Sequence, residues 1–134
     1  MHSFQETEMH FSLTRLMAAL ALCGAAAASH AQAPQIQQRC GGIGSDESTR
    51  MRAEMKDHPL SLLFARPDGD YLADVQVNLS DAGGKTLLDW KAGGPVCLVD
   101  LPPGRYKVQA MSGGATREHE VTVGKTPTRL DFRF

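Results

Sequence analysis

From Leu60 onward the apolar residues recur at every second position, the period of a strand with one buried face. In "YLADVQVNLS" the residues Tyr71, Ala73, Val75, Val77 and Leu79 fall on one side, and Asp74, Gln76, Asn78 and Ser80 on the other. The same alternation places Leu88 with Trp90, Cys97 with Val99 and Leu101, Tyr106 with Val108 and Ala110, Val121 with Val123, and Leu130 with Phe132 and Phe134. These are six strands, and "LSLLFA" from Leu60 to Ala65 makes a seventh. Glycine and proline punctuate them at "PDGD", "AGGK", "AGGP", "PPG", "SGG" and "GKTP". Glycine permits positive φ and proline pre-sets a turn. Short strands at such spacing, with no helices between them, predict an antiparallel sandwich rather than an α/β fold.

The region before Leu60 follows a different rule. "GSDESTRMRAEMKDHP" reads as one short α-helix over about 45–57. Ser45 is the expected N-cap, Asp46 and Glu47 suit the positive end of the helix dipole, and Pro59 stops the helix. Met51 and Met55, four apart, give it a narrow apolar stripe that would dock on the sheet. "PQIQQRC" upstream carries only a weak strand signal.

Leu16 to Ala28 is an apolar, alanine-rich run preceded by Arg15 and followed by small residues, the pattern of a secretory signal peptide. Cleavage after Ala31 satisfies the small-x-small rule with Ser29, which gives a signal peptide over 1–31 and one domain over 32–134. Glu6 and Glu8 oppose the positive charge expected at such a start, and Met9 offers a second start without them. The apolar run falls short of the roughly 18 residues a spanning helix needs. A lipid anchor on Cys23 is disfavoured by Leu22, where a small residue belongs. The expected location is the periplasm. About 100 residues remain after cleavage, enough for a single core. Basic and acidic residues number 14 and 15 and are interspersed, so nothing in the charge pattern suits nucleic acid.

Cys40 and Cys97 survive cleavage. An oxidising compartment permits a disulfide between them. The alternative makes Cys97 a small core residue in phase with Val99 and Leu101, and Cys40 a free loop thiol. No C-x-x-C motif or zinc spacing is present.

The stretch Gly69 to Ala110 resembles the carboxypeptidase regulatory-like domain, a transthyretin-like (prealbumin-like) sandwich. The resemblance lies in the order "YLADVQVNLSDAGGKTLLD", "AGGP", "VCLVDLPPGRYKVQA", above all in "LPPGRYKV". The wider arrangement of "GGIGSDE", helix, "LSLLFA" and "LPPGRY" is similar to small exported proteobacterial proteins that carry this domain. What it implies is a mainly β, seven-stranded prealbumin-like β-sandwich with one N-terminal helix, in an exported protein; it implies no activity.

Transthyretin-like hydroxyisourate hydrolases rely on histidines and end in Tyr-Arg-Gly-Ser, whereas this sequence ends "LDFRF" and offers only His58 and His119 after cleavage. An internal isopeptide bond is not expected, because "KVQA" lacks the assisting glutamate and Lys107 points outward. The acids Asp68, Asp70, Asp74 and Asp81 lack calcium-loop spacing. No G-x-S-x-G elbow appears. Trp90 and Tyr71 would stack on a sugar only if exposed, and their phase places both in the core. The glycine-rich stretch Gly41, Gly42, Gly44, with Asp46 and Glu47 behind it, suggests a phosphate loop. It lacks the Walker lysine, and its two acids would repel an anion. It reads as a hinge and as the candidate surface loop of the domain.

The expected protein is therefore a non-catalytic periplasmic binding or accessory module. It needs no cofactor and no metal. Its expected partner is an envelope protein, with a carbohydrate or small ligand as the alternative and an enzyme with an unrecognised site as the least favoured reading.

Overall fold

The computed structural model describes residues 35–134, so the expected signal peptide over 1–31 lies outside the described residues. The elements run β1 (Gln37–Gly41), α1 (Ser45–Glu54), a 3-10 turn (Met55–Asp57), β2 (Leu60–Ala65), β3 (Val75–Asp81), β4 (Thr86–Ala92), β5 (Val96–Asp100), β6 (Gly104–Ser112), β7 (Ala115–Val123) and β8 (Thr128–Arg133). They form two four-stranded sheets, β1-β5-β2-β8 and β4-β3-β6-β7. The mainly β sandwich with one short helix is as expected, but with two corrections.

The described residues hold eight strands, not seven. The eighth is β1, whose "QQRCG" has no apolar alternation because Gln37, Gln38 and Arg39 are all exposed. It is fixed by pairing with β5, in a register that puts Cys40 opposite Cys97, and the two are joined as a disulfide. The sandwich is also not wholly antiparallel, since β2 and β8 run parallel from Leu60↔Thr128 to Ala65↔Arg133. Strand period says nothing about strand direction.

The main core lies between the sheets. Leu60, Leu62, Phe64, Cys97, Val99 and Phe132 meet Val75, Val77, Leu79, Trp90, Tyr106, Val108 and Val121 from the facing sheet. β2 is buried at every position, and so are Val96 to Val99 of β5. The reason is α1, which covers the other side of those strands and encloses Met51 with Leu63, Val96 and Leu98. "LSLLFA" and "VCLV" are therefore apolar runs rather than alternations. Met51 is the only apolar side chain of α1 that is buried, and its burial contributes about 2 kcal/mol. Beneath the helix the Ser61 hydroxyl is buried, 1% exposed, and finds no partner.

Two local expectations change. Gly44 rather than Ser45 is the N-cap, and no side chain caps the helix. Tyr71 and Ala73 leave the core, because Asp74 adopts a left-handed φ of 60° and β3 begins only at Val75. The Asp74 N–H donates to the Ala92 carbonyl at 2.7 Å. Tyr71 keeps a single bridge to Ala65 and is 44% exposed.

The "LPPGRY" stretch acquires a physical meaning. The Tyr106 hydroxyl donates to the Pro102 carbonyl at 2.6 Å, four residues back, tying the corner that leads into β6. Burial pushes the Tyr106 phenol up from its ordinary pKa, so it stays a donor. Tyr106→Phe leaves the Pro102 carbonyl without that donor and is expected to lower unfolding free energy by about 1–2 kcal/mol with an unchanged denaturant slope. Equal midpoints for variant and wild type would show that the bond contributes nothing.

Candidate functional site

The predicted loop is built by close packing. A Cβ on Gly41 would meet the Glu47 carboxylate and, at 2.9 Å, the Met51 sulfur. Gly42 has φ +94° and lies against Val96 and the Ser48 backbone. A Cβ on Gly94 would run into the Gly41 backbone. Three glycines thus let β1, the start of α1 and the turn before β5 converge. Gly41 and Gly42 are buried, whereas Gly44, Asp46 and Glu47 are exposed. Beside them Arg39, Glu47, Arg50, Met51 and Glu54 line a shallow cleft of about 370 Å³.

The disulfide Cys40–Cys97 sits in the β1/β5 pair, and the Trp90 indole N–H donates to the Cys40 sulfur at 3.3 Å. Trp90 is buried, as its phase predicted. Closing a chain separation of 57 residues contributes about 4 kcal/mol in the chain-entropy account. That is a large share of the roughly 5–15 kcal/mol by which a domain is stable.

The two histidines are each engaged. His58 Nδ1 lies 2.8 Å from Asp100 Oδ1, and no serine, threonine or cysteine shares a hydrogen bond with that imidazole among the described residues. His119 meets the Phe132 ring edge-on, with centroids 4.8 Å apart. Tyr71 is exposed, but the Arg52 guanidinium stands 4.4 Å from its ring centroid and occupies one face. Trp90 and Tyr71 therefore do not make a common sugar-stacking platform. Among the described residues no three His, Cys, Asp or Glu side chains cluster as metal ligands, and no helix is long and apolar enough to cross a membrane.

The outer face of β4-β3-β6-β7 carries polar side chains on every strand. Strand register sets Asp89, Asn78, Gln109 and Glu118 in one row across all four strands. Gln76 Nε2 donates to Asp89 Oδ1 at 2.5 Å, and Asn78 Nδ2 approaches Thr86 Oγ1 at 3.4 Å. Lys107 Nζ stands 3.9 Å from Glu118. Gln76, Asn78, Lys107 and Gln109 are half-buried by their neighbours on this face. At one end the β3–β4 turn rises over β6 and β7 and leaves a cleft of about 670 Å³ lined by Arg105, Lys107, Glu120 and Thr122. Asp81 holds the turn, its Oδ1 accepting from the Gly83 and Lys85 N–H groups at 2.9 Å each. Sequence periodicity marked these residues as outward-facing; only register shows which stand side by side.

No family model matches the chain. None of the curated proteins matches it either. Among solved structures it is similar to the 5-hydroxyisourate hydrolase of Klebsiella pneumoniae, with 21% identity and a TM-score of 0.47 over 57% of this chain and 89% of that one. It is also similar to BcpA, the major pilin subunit of Bacillus cereus, with 17% identity and a TM-score of 0.40 over 55% of this chain and 27% of the pilin. At scores this low the account of fold and site rests on this chain's own geometry: a two-sheet β-sandwich with one sheet roofed by a helix and the other without a covering element among the described residues.

One polar contact between α1 and β1 titrates. Arg39 Nη2 donates to Glu54 Oε2 at 2.7 Å, and that hydrogen bond holds the Glu54 carboxyl below the usual carboxylate range. Because the folded-state pKa is depressed, the contribution is present above the unfolded value and is lost as pH falls through the folded one. Acidifying from about pH 6 to about pH 3 should lower the hydrogen-exchange protection of α1 relative to β2. In Glu54→Gln the part of this loss that comes from this contact should be missing, with α1 less protected already at neutral pH. An identical acid response in both proteins would remove the contact from the account.

Proposed function

We propose that the mature chain is a non-catalytic binding or accessory module of the periplasm, and that it contacts a partner protein through the outer face of β4-β3-β6-β7. One observation carries the reading: α1 covers the outer side of β2 and β5, while the opposite sheet presents amides and charges, half-buried on β3 and β6 and exposed on β4 and β7, with no covering element among the described residues.

The free edges favour a face over an edge as the contact. β1 is five residues long. β4 carries a bulge, since Leu79 pairs Leu88 and Ser80 pairs Thr86, leaving Leu87 unmatched. β7 exposes Arg117, Glu118, His119 and Glu120, and β8 exposes Arg129, Asp131 and Arg133. Short, bulged and charged edges resist strand pairing. The non-catalytic part of the reading is supported by the engagement of His58 and His119 with Asp100 and Phe132. A His–Asp pair without a nucleophile on the imidazole lacks the member that attacks.

A second reading, a glycan or small acidic ligand, is favoured by the cleft, where Arg105 has no acidic partner within ion-pair distance among the described residues. The two readings separate in one experiment. Tagged mature protein is used for affinity capture from periplasm, beside Gln109→Arg in the middle of the bare face and Arg50→Ala on the helix. The expected result is a partner recovered with wild type and Arg50→Ala and lost with Gln109→Arg. A partner retained by all three contradicts the assigned face. Saturable glycan binding abolished by Arg105→Ala, with no protein recovered, replaces the protein reading by the glycan one.

A further inference from the structure

β1 does little to hold itself in place. Gln37, Gln38 and Arg39 are exposed, Gly41 has no side chain, and Cys40 is the only apolar side chain among its five residues. Ile36, just before it, is half-buried against the core. Besides backbone pairing from Gln37↔Asp100 to Gly41↔Val96, the strand has an exposed Arg39–Glu54 ion pair and the weak indole N–H contact to Cys40. Exposed ion pairs add little.

The strand it covers is the opposite case. Val96, Cys97, Leu98 and Val99 are each at most 1% exposed. Without β1, β5 would present an apolar edge, β-branched at Val96 and Val99, with no charge between them and no bulge. Edges of that kind accept an extended segment by strand addition. Every outer edge of the sandwich is blunted, and this inner one is not.

We infer that the Cys40–Cys97 bond is a lock on the β5 edge: in the dithiol form β1 leaves β5, and the freed edge takes β1 from a second copy of this chain. The second copy is the occupant because its residues Gln37 to Gly41 already fit the register, with its Cys40 falling opposite Cys97. The connection to α1 also suits an exchange. It runs through Gly42 at φ +94°, Ile43 at 73% exposed, and the exposed Gly44, so it can swing out at 43–44 once Gly41 and Gly42 leave their contacts with Met51, Ser48 and Val96.

The chemistry balances with a small dithiol as reductant. Its thiolate attacks the sulfur of Cys40, which is half-buried where Cys97 is 0% exposed, and the Cys97 thiolate leaves and is protonated. The second thiol of the reagent, as its thiolate, displaces Cys40. Two electrons and two protons have then passed to the protein, which holds two thiols, and the reagent is a cyclic disulfide. In the exchanged dimer, glutathione disulfide reverses this across the copies. Each Cys40–Cys97 bond formed between chains converts one glutathione disulfide to two glutathiones.

The test uses the mature oxidised protein, reduced with dithiothreitol at high protein concentration and then re-oxidised with glutathione disulfide. The expected product is a covalent dimer on a non-reducing gel, with Cys40 of one isotope-labelled chain mapped to Cys97 of the unlabelled other. The reduced protein should lose hydrogen-exchange protection over Gln37–Gly41 while β2, β3 and β6 keep theirs. The Cys40→Ala, Cys97→Ala double variant reads the same edge without a reductant and should show concentration-dependent dimerisation in sedimentation. Re-oxidation to monomer alone at every concentration, with β1 still protected in the thiol form, overturns the inference. Global unfolding on reduction also overturns it, because the bond would then hold the whole domain rather than one strand.

Discussion

The domain depends on the burial of both faces of β5. Val96 and Leu98 face the helix, Cys97 and Val99 face the opposite sheet, and both edges are paired, by β1 and by β2. Each remaining part leans on this strand. The disulfide ends on Cys97, the glycine-rich loop packs against Val96, and the 3-10 turn after α1 is tied down where His58 meets Asp100. Burying four such side chains on two faces outweighs the small polar contacts around them, since each contributes about 1.5–3 kcal/mol whereas exposed pairs contribute little.

This hub explains why the two sheets differ in what they offer. One sheet is closed outward by a helix whose single buried methionine completes the small second core. The other has no comparable cover among the described residues, and its outward side chains are spaced by register into rows of amides and opposite charges. The glycines at 41 and 42, which in sequence suggested a ligand loop, serve the convergence of three segments on the end of β5.

β3, β4, β6 and β8 were legible because one-sided burial writes a period of two, β2 and β5 as apolar runs between turn signals, and α1 from its first-turn acids and the stop at Pro59. β1 was not, because a strand held by a partner and a covalent bond needs no apolar pattern of its own. Tyr71 was misplaced because one left-handed residue, Asp74, resets the phase, and an aspartate in a polar stretch gives no warning of that. The parallel β2/β8 pair and the row Asp89, Asn78, Gln109, Glu118 depend on which strands are neighbours, and that is decided by packing across the whole chain. "LPPGRY" marked a turn, but not that its tyrosine ties the corner.

The most direct measurement is native-state hydrogen exchange of the oxidised protein through a series of low denaturant concentrations. The account predicts that the slowest amides lie in β5 and β2 and exchange only through global unfolding, with α1 opening earlier as a smaller unit. Slowest exchange in β3 and β6, with β5 released through a smaller opening, would contradict β5 as the strand on which the domain depends.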